Sequence, residues 1–261
     1  YEVKSYEDVM GSGCEKFYIR EQQLQQLKQL AAKQRVNFST LLLAIFKVFI
    51  HKISQQNNLA VTTPVQGRPS EAFEDSMGCY INIIVTNTEV APEETFENYL
   101  VQVRDNFIDG LDYLFYPFAK VVEGIGLNLS RRLEDAKLNP LSISYTYQNI
   151  FDGWLEQEDE LQKIEPNYDI YQETGDNYAL EVYDWRDHLQ LNFKYNKELF
   201  YAETIQRHLQ YFGQLLEEIL KHPTQVIATL PALPVVPKNV QYPTLPGTKM
   251  DYPKEECIHN L

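Results

Sequence analysis

Apolar residues recur along this chain in two rhythms, one near the helical repeat of about 3.6 residues and one of two. Glu21 to Gln34 sets Leu24, Leu27, Leu30 and Ala31 on one stripe against glutamines, which predicts an amphipathic helix. A second helix, capped by Asn37 or Ser39, runs through Leu41, Leu42, Ile45, Phe46, Phe49 and Ile53; it is apolar over most of its circumference and is expected to be buried. A third stripe, Phe96, Leu100, Val103, Phe107 and Leu111, follows an acidic start at Pro92-Glu93-Glu94. Ala202 to Leu220 is the last helix, with Ile205, Leu209, Phe212, Leu216 and Ile219 inward. Period-two runs predict strands at Cys14 to Arg20, Leu59 to Val65, Leu141 to Tyr147, Tyr178 to Val182 and Leu189 to Tyr195. Asp184 to Asp187 can close a tight hairpin between the last two.

One stretch departs from both rhythms. Pro64-Val65-Gln66-Gly67-Arg68 ends a strand, a short acidic loop follows, and Met77 to Val85 begins another. Gly67 permits a positive φ or a close backbone approach, and Pro69 cannot continue a ladder, so Ser70 to Asp75 must leave the sheet. The second strand is apolar nearly throughout, the pattern of a strand covered on both faces, and Asn82 interrupts it. A buried amide needs partners, and Asn82 either satisfies a neighbouring loop or lines a site. Arg68 stands at the strand end as a half-exposed charge or as a brace for a carboxylate elsewhere.

Composition narrows the classes. At 261 residues and 44% hydrophobic content the chain can bury one sizeable core. A formal net charge of −14 without any basic run argues against nucleic acid and anionic membranes as partners. No apolar run approaches the roughly twenty residues of a membrane helix and no signal pattern opens the chain, so a cytoplasmic protein is expected. Cys14, Cys79 and Cys257 are widely spaced, which fits reduced thiols better than disulfides or a zinc site. His51 and His188 have no second ligand at metal spacing and read as a helix-end group and a hairpin residue.

The pattern Pro-x-x-Gly-Arg, acidic loop, Met-Gly-x-Tyr-Ile-Asn resembles the second half of the condensation domains of nonribosomal peptide synthetases. Gly78, Tyr80 and Asn82 match that family's Gly-x-Phe-Val-Asn-Thr strand, with Ile83 in place of the Thr. Tyr116, Pro117 and Phe118 match a Tyr-Pro-Phe-Glu element, with Ala119 replacing the Glu. Asp135, Asn139, Pro140 and Leu141 match an Arg-Asp-x-Ser-x-Asn-Pro-Leu element, with Glu134 and Lys137 at the Arg and Ser places. Near the end, Tyr252-Pro253 to Ile258-His259-Asn260-Leu261 is similar to the start of an adenylation domain, which makes His259 a boundary marker.

The resemblance implies a chloramphenicol acetyltransferase-like α/β sandwich, a mixed sheet with helices largely on one face. It divides the chain into a connector from an N-terminal lobe (1–13), a C-terminal condensation lobe (14–222) and a Pro-rich linker into an adenylation domain (223–261). Seven of the 13 prolines fall in that last part, so it reads as an extended brace rather than a helix. The implied partners are the N-terminal lobe, the adenylation domain and peptidyl carrier proteins whose phosphopantetheine arms carry the substrates; no metal or nucleotide is implied for this lobe. Arg68, Gly78, Tyr80 and Asn82 would line the substrate tunnel or the lobe interface, and Gly67, Tyr116 to Phe118 and the 135–141 residues would be structural. The family's His-His-x-x-x-Asp-Gly loop, which positions or deprotonates the attacking amine, is absent, so no catalytic residue is assigned and the chain alone is expected to be inactive. The alternatives are a catalytically silent interaction module or a free-standing acyltransferase, and the latter should carry its own His-x-x-x-Asp.

Overall fold

A computed structural model describes residues 11–68, 71–73, 75–126, 141–149, 176–185, 187–197 and 199–233. The chain runs β1 (Ser12–Arg20), α1 (Glu21–Gln34), α2 (Phe38–Ser54), β2 (Asn58–Gln66), β3 (Ile81–Glu89), α3 (Phe96–Asp112), α4 (Phe118–Gly124), β4 (Ile143–Asn149), β5 (Tyr178–Asp184), β6 (His188–Asn196) and α5 (Ala202–Lys221). The six strands form one sheet in the order β1-β6-β5-β4-β2-β3. Pairing is antiparallel for β1/β6, β6/β5 and β2/β3, and parallel for β5/β4 and β4/β2, so the sheet is mixed as expected.

The odd positions of β6 (Leu189, Leu191, Phe193, Tyr195) and the even ones of β5 (Tyr178, Leu180, Val182) join the buried core with the helices, while Asn192, Gln190 and Lys194 belong to the other face. On that polar face Lys194 Nζ meets Glu181 Oε1 at 2.7 Å. Helix α2 is the centre of the core: every residue from Thr40 to Lys52 is buried. Phe49 packs its ring against Tyr178, Phe193, Tyr211 and Phe212 with centroids 5.4–6.2 Å away. Burying one such ring contributes about 1.5–3 kcal/mol, which is why the most apolar helix lies innermost. His51 is buried rather than exposed, with Nδ1 2.9 Å from the carbonyl of Gln56 at the helix end.

Two strand and helix expectations need correction. β3 is one of the two edge strands and is only partly buried, not covered on both faces along its length, and its start is open: Ile81 is 68% exposed and Met77, outside the strand, is fully exposed. Apolar composition marks a strand as coverable without saying what covers it. Helix α3 begins after Thr95, not at Pro92-Glu93-Glu94, because the Thr95 side chain caps it by accepting from Asn98 N at 3.3 Å. The next two free N–H groups, of Phe96 and Glu97, donate to Gln225 O and Pro223 O, both at 3.1 Å. The segment after α5 therefore closes the N-terminus of α3. Lys52 Nζ donates to Ala228 O and Leu230 O at 3.2 Å, Tyr211 OH donates to Pro231 O at 2.7 Å, and Leu230 is buried. Of the expected connector at 1–13, residues 1–10 lie outside the described residues, as do Asp135, Asn139, Pro140 and everything after Leu233, while Ser12 and Gly13 belong to β1.

Candidate functional site

The neck of the β2–β3 connection is set by a close backbone approach. Gly67 N donates to Tyr80 O at 2.7 Å, and a Cβ on Gly67 would stand 2.5 Å from that oxygen, so the position excludes any side chain. Of the two reasons for this glycine, close approach is the one that applies; its φ is not positive. Beyond the neck the chain makes a short 3₁₀ turn, Glu71–Phe73, outside the sheet.

Arg68 closes this loop from within. Its Nη1 donates to Phe73 O, to Ser76 O at 3.1 Å and to Ser76 Oγ at 3.3 Å, while Cζ sits 4.6 Å from the centroid of the Tyr80 ring. The Tyr80 hydroxyl is 2.9 Å from Ser76 Oγ, and Phe73 stands edge-on to the Tyr80 ring at 6.1 Å. A planar guanidinium is the side chain that donates to carbonyls in its plane and presents its face to a ring at once. Among the described residues only Nη1 of its three nitrogens makes hydrogen bonds. Gly78 is exposed beside Tyr80, 3.1 Å from the ring edge at the Cβ position.

Asn82 lies opposite Val65 in the ladder and bonds across to the loop after α3. Its Nδ2 donates to Leu114 O at 2.5 Å and to Tyr116 O at 2.9 Å, and its Oδ1 accepts from Phe118 N at 3.4 Å. The amide thus fills three of its bonds on the segment that contains Tyr116-Pro117-Phe118, and Pro117 caps α4. Of the two readings of Asn82, this geometry is that of the residue satisfying a neighbouring loop. The turn it holds is apolar and open, with Tyr113 74%, Phe115 65% and Tyr116 56% exposed, and Ile81 on the opposite face of β3 is 68% exposed. Patches of this kind on a folded domain mark contact surfaces.

Among the described residues no histidine belongs to this constellation, and its guanidinium can orient groups and hold a negative charge. Sequence reasoning found Gly67, Arg68, Tyr80 and Asn82 but not Ser76, nor the Leu114 carbonyl. A single serine in a polar loop carries no signal, and backbone carbonyls are not labelled by residue type.

The fold is that of the chloramphenicol acetyltransferase-like class. The family model for the condensation domain matches residues 7–239, and the chain belongs to that family. Gramicidin S synthase 2 of Aneurinibacillus migulanus is 26% identical over 246 residues, 94% of this chain and 5% of that protein. Tyrocidine synthase 2 of Brevibacillus parabrevis is 26% identical over 247 residues, 91% of this chain and 6% of that protein. The chain therefore spans less than a tenth of these relatives. Among solved structures, a four-domain nonribosomal peptide synthetase bound to AMP and glycine superposes with a TM-score of 0.73 at 23% identity, covering 84% of this chain and 17% of that one. The first condensation domain of the CDA synthetase gives 0.64 at 12% identity, over 84% of this chain and 47% of that one. The X-domain from teicoplanin biosynthesis gives 0.72 at 16% identity, over 85% and 50%. Among the described residues no single helix is long and apolar enough to cross a membrane.

Proposed function

We propose that this chain is the C-terminal, acceptor-side lobe of a condensation domain, acting in the cytoplasm within a synthetase that joins carrier-bound aminoacyl or peptidyl thioesters. The observation that carries the reading is that 84–85% of the chain superposes on only 47–50% of the condensation-domain and X-domain chains, which is what one of two lobes would do. The order of the motifs, Pro-x-x-Gly-Arg before Gly-x-Tyr-x-Asn before Tyr-Pro-Phe, supports the C-terminal half. The open aromatic residues of the turn, Tyr113, Phe115 and Tyr116, are the proposed contact with the N-terminal lobe. Arg68 braces the loop beside it and offers its free guanidinium edge to a carboxylate there. The catalytic histidines come from the other lobe, substrates arrive on phosphopantetheine arms, and the segment after α5 leads to an adenylation domain.

The test is reassembly. The chain is mixed with a separately expressed N-terminal lobe from the same reading frame and with loaded carrier proteins. Peptide should form only when both lobes are present. Product from this chain alone would refute the reading, and a stable two-lobe complex without product would favour the silent interaction module.

A further inference from the structure

At the two ends of the β2/β3 ladder, Gly67 N donates to Tyr80 O at 2.7 Å and Val90 N to Asn57 O at 2.8 Å. The register is unbroken between them, so the even-numbered residues of β3 exchange bonds with β2. The odd-numbered ones, Ile81, Ile83, Val85, Asn87 and Glu89, turn their N–H and C=O groups outward. β3 ends the sheet, and among the described residues no hydrogen bond reaches those outward groups. The side chains of the same residues stand on the face away from the helices, because Ile84 lies 3.5 Å from the Cβ position of Gly110 on α3. That row is apolar at Ile81, Ile83 and Val85, the first open and the other two half-buried, and ends in exposed Asn87 and Glu89.

The opposite edge of the sheet is built differently. On β1 the outward positions, set by Lys197 N donating to Gly11 O, include the exposed Lys16 and Arg20. Cations of that kind keep an edge from pairing with another strand. β3 has neither a cation nor a proline, and its one charge is Glu89 at the far end.

We propose that the free edge of β3 binds an extended peptide as an added antiparallel strand, and that the occupant is the peptidyl chain of a carrier-bound thioester; the choice of occupant rests on the function proposed above. A chain of formal net charge −14 repels a second copy of itself and any acidic segment. A peptidyl thioester brings no terminal carboxylate, because its carboxyl carbon is bonded to sulfur, and its terminal ammonium is positive. Antiparallel addition sets that ammonium beside Glu89 and the thioester end beside Ile81, next to the neck where Gly67 meets Tyr80 O. Main-chain bonds hold any extended sequence, while Ile81, Ile83 and Val85 favour apolar side chains at every second residue.

Amide hydrogen exchange on the full 261-residue chain tests this with a seven-residue peptide amide of alternating threonine and valine, whose uncharged C-terminus stands in for the thioester. At saturation the amides of Ile83, Val85 and Asn87 should exchange about tenfold more slowly or better, while those of Ile84 and Thr86 keep their rates. Methylating the peptide nitrogens that face β3 should abolish binding, and methylating the alternate set should spare it. Val85→Pro removes an outward N–H that β2 does not use and should weaken binding about tenfold; Val85→Lys should weaken it too while leaving the backbone as it is. Acetylating the peptide N-terminus, or Glu89→Gln, should cost about two- to fivefold, and the two together no more than either. Unchanged exchange at Ile83 and Val85, equal binding of the two methylated peptides, or protection of the same amides by the N-terminal lobe or by self-association without peptide would overturn the proposal. No peptide protection while the mixed lobes still form product rejects the edge site and leaves the lobe assignment standing. Strand addition by this chain with no product from the mixed lobes keeps the edge site and rejects the peptidyl thioester as its occupant.

Discussion

The stability of the lobe should climb with pH in two separate ramps, each owned mainly by one buried base, with Lys52, whose pKa burial also lowers, adding to the upper one. Lys47 is wholly buried in α2, with Nζ 2.8 Å from Thr86 O, 3.2 Å from Leu59 O and 3.4 Å from Thr88 Oγ1. Burial lowers its pKa from 10.5 to about 7. Between those values the unfolded chain holds a proton that the folded chain has released, so stability rises with pH from about 7 upward and is lowest below it. The whole gap corresponds to roughly 5 kcal/mol, and the part between pH 7 and 9 to roughly 2–3 kcal/mol. Three acceptors match the three protons of an ammonium and hold some of the charge, so these figures are ceilings. His208 acts lower down. Its burial, with Arg207 adjacent, lowers its pKa from 6.5 to about 4, and stability should fall as pH drops through that window, by at most roughly 3 kcal/mol.

Urea midpoints read by circular dichroism at fixed ionic strength, from pH 4 to 9, separate the two ramps. Above that range Tyr99, Tyr145 and Tyr178, whose pKa values burial raises, work in the opposite sense, because their unfolded forms ionise first. Lys47→Met should flatten most of the upper ramp and leave the lower one; His208→Phe, in a cage of Phe49, Tyr178 and Phe200, should do the reverse. A flat profile between pH 7 and 9, or the same slope in Lys47→Met, would refute the reasoning.

Gly67→Ala should lose about 1–3 kcal/mol in a chemical melt, because the added methyl meets a backbone oxygen that cannot turn away; an unchanged midpoint would mean the neck is wider than described. Asn82→Ala should lower stability by about 1–2 kcal/mol and speed hydrogen exchange at the Phe118 amide while α2 amides keep their protection; equal loosening of both would count against a local role. Tyr211→Phe removes the bond to Pro231 O and should make the 230–233 segment more sensitive to limited proteolysis with little change in overall melting; insensitivity would show that the packing of Leu230 alone holds it.

Most helices were legible because their amphipathic stripes are long. α1 has the bounds its leucine spacing suggests, α2 is buried as its uniform apolarity requires, and the inward set of α5 is buried throughout. Errors arose where a partner decides the outcome. The acidic turn before α3 looks like a helix start until Thr95 competes for the cap, and Leu111, in phase with the stripe, ends 38% exposed because nothing described covers the last turn. Lys47 is the reverse case. A lysine inside an apolar helix gives no hint that Thr86 and Leu59 carbonyls will meet it, since those come from strands distant in sequence. The site was half readable for the same reason: Gly67, Arg68, Tyr80 and Asn82 announce themselves by type, whereas the groups they bond are mainly carbonyls.

That division shows how two motifs far apart in the chain are joined in the fold. Asn82 sits on the edge strand, where its N–H and C=O can serve the ladder with β2 while its side chain is free to reach sideways. What it reaches is the turn after α3, so the position of Tyr116-Pro117-Phe118 depends on the register of β3. A one-residue slip would put Ile81 or Ile83 at that place and leave two carbonyls and an N–H without partners. Gly67 and Arg68 guard against the slip from the other side, one by closing the neck on Tyr80 O and the other by stacking on the Tyr80 ring. The four residues therefore act as one register lock, and its effect is to fix the turn that carries the open Tyr113, Phe115 and Tyr116 against β3. Under the proposed reading, a lobe that must meet another across that surface needs such a lock more than it needs a proton-transferring group.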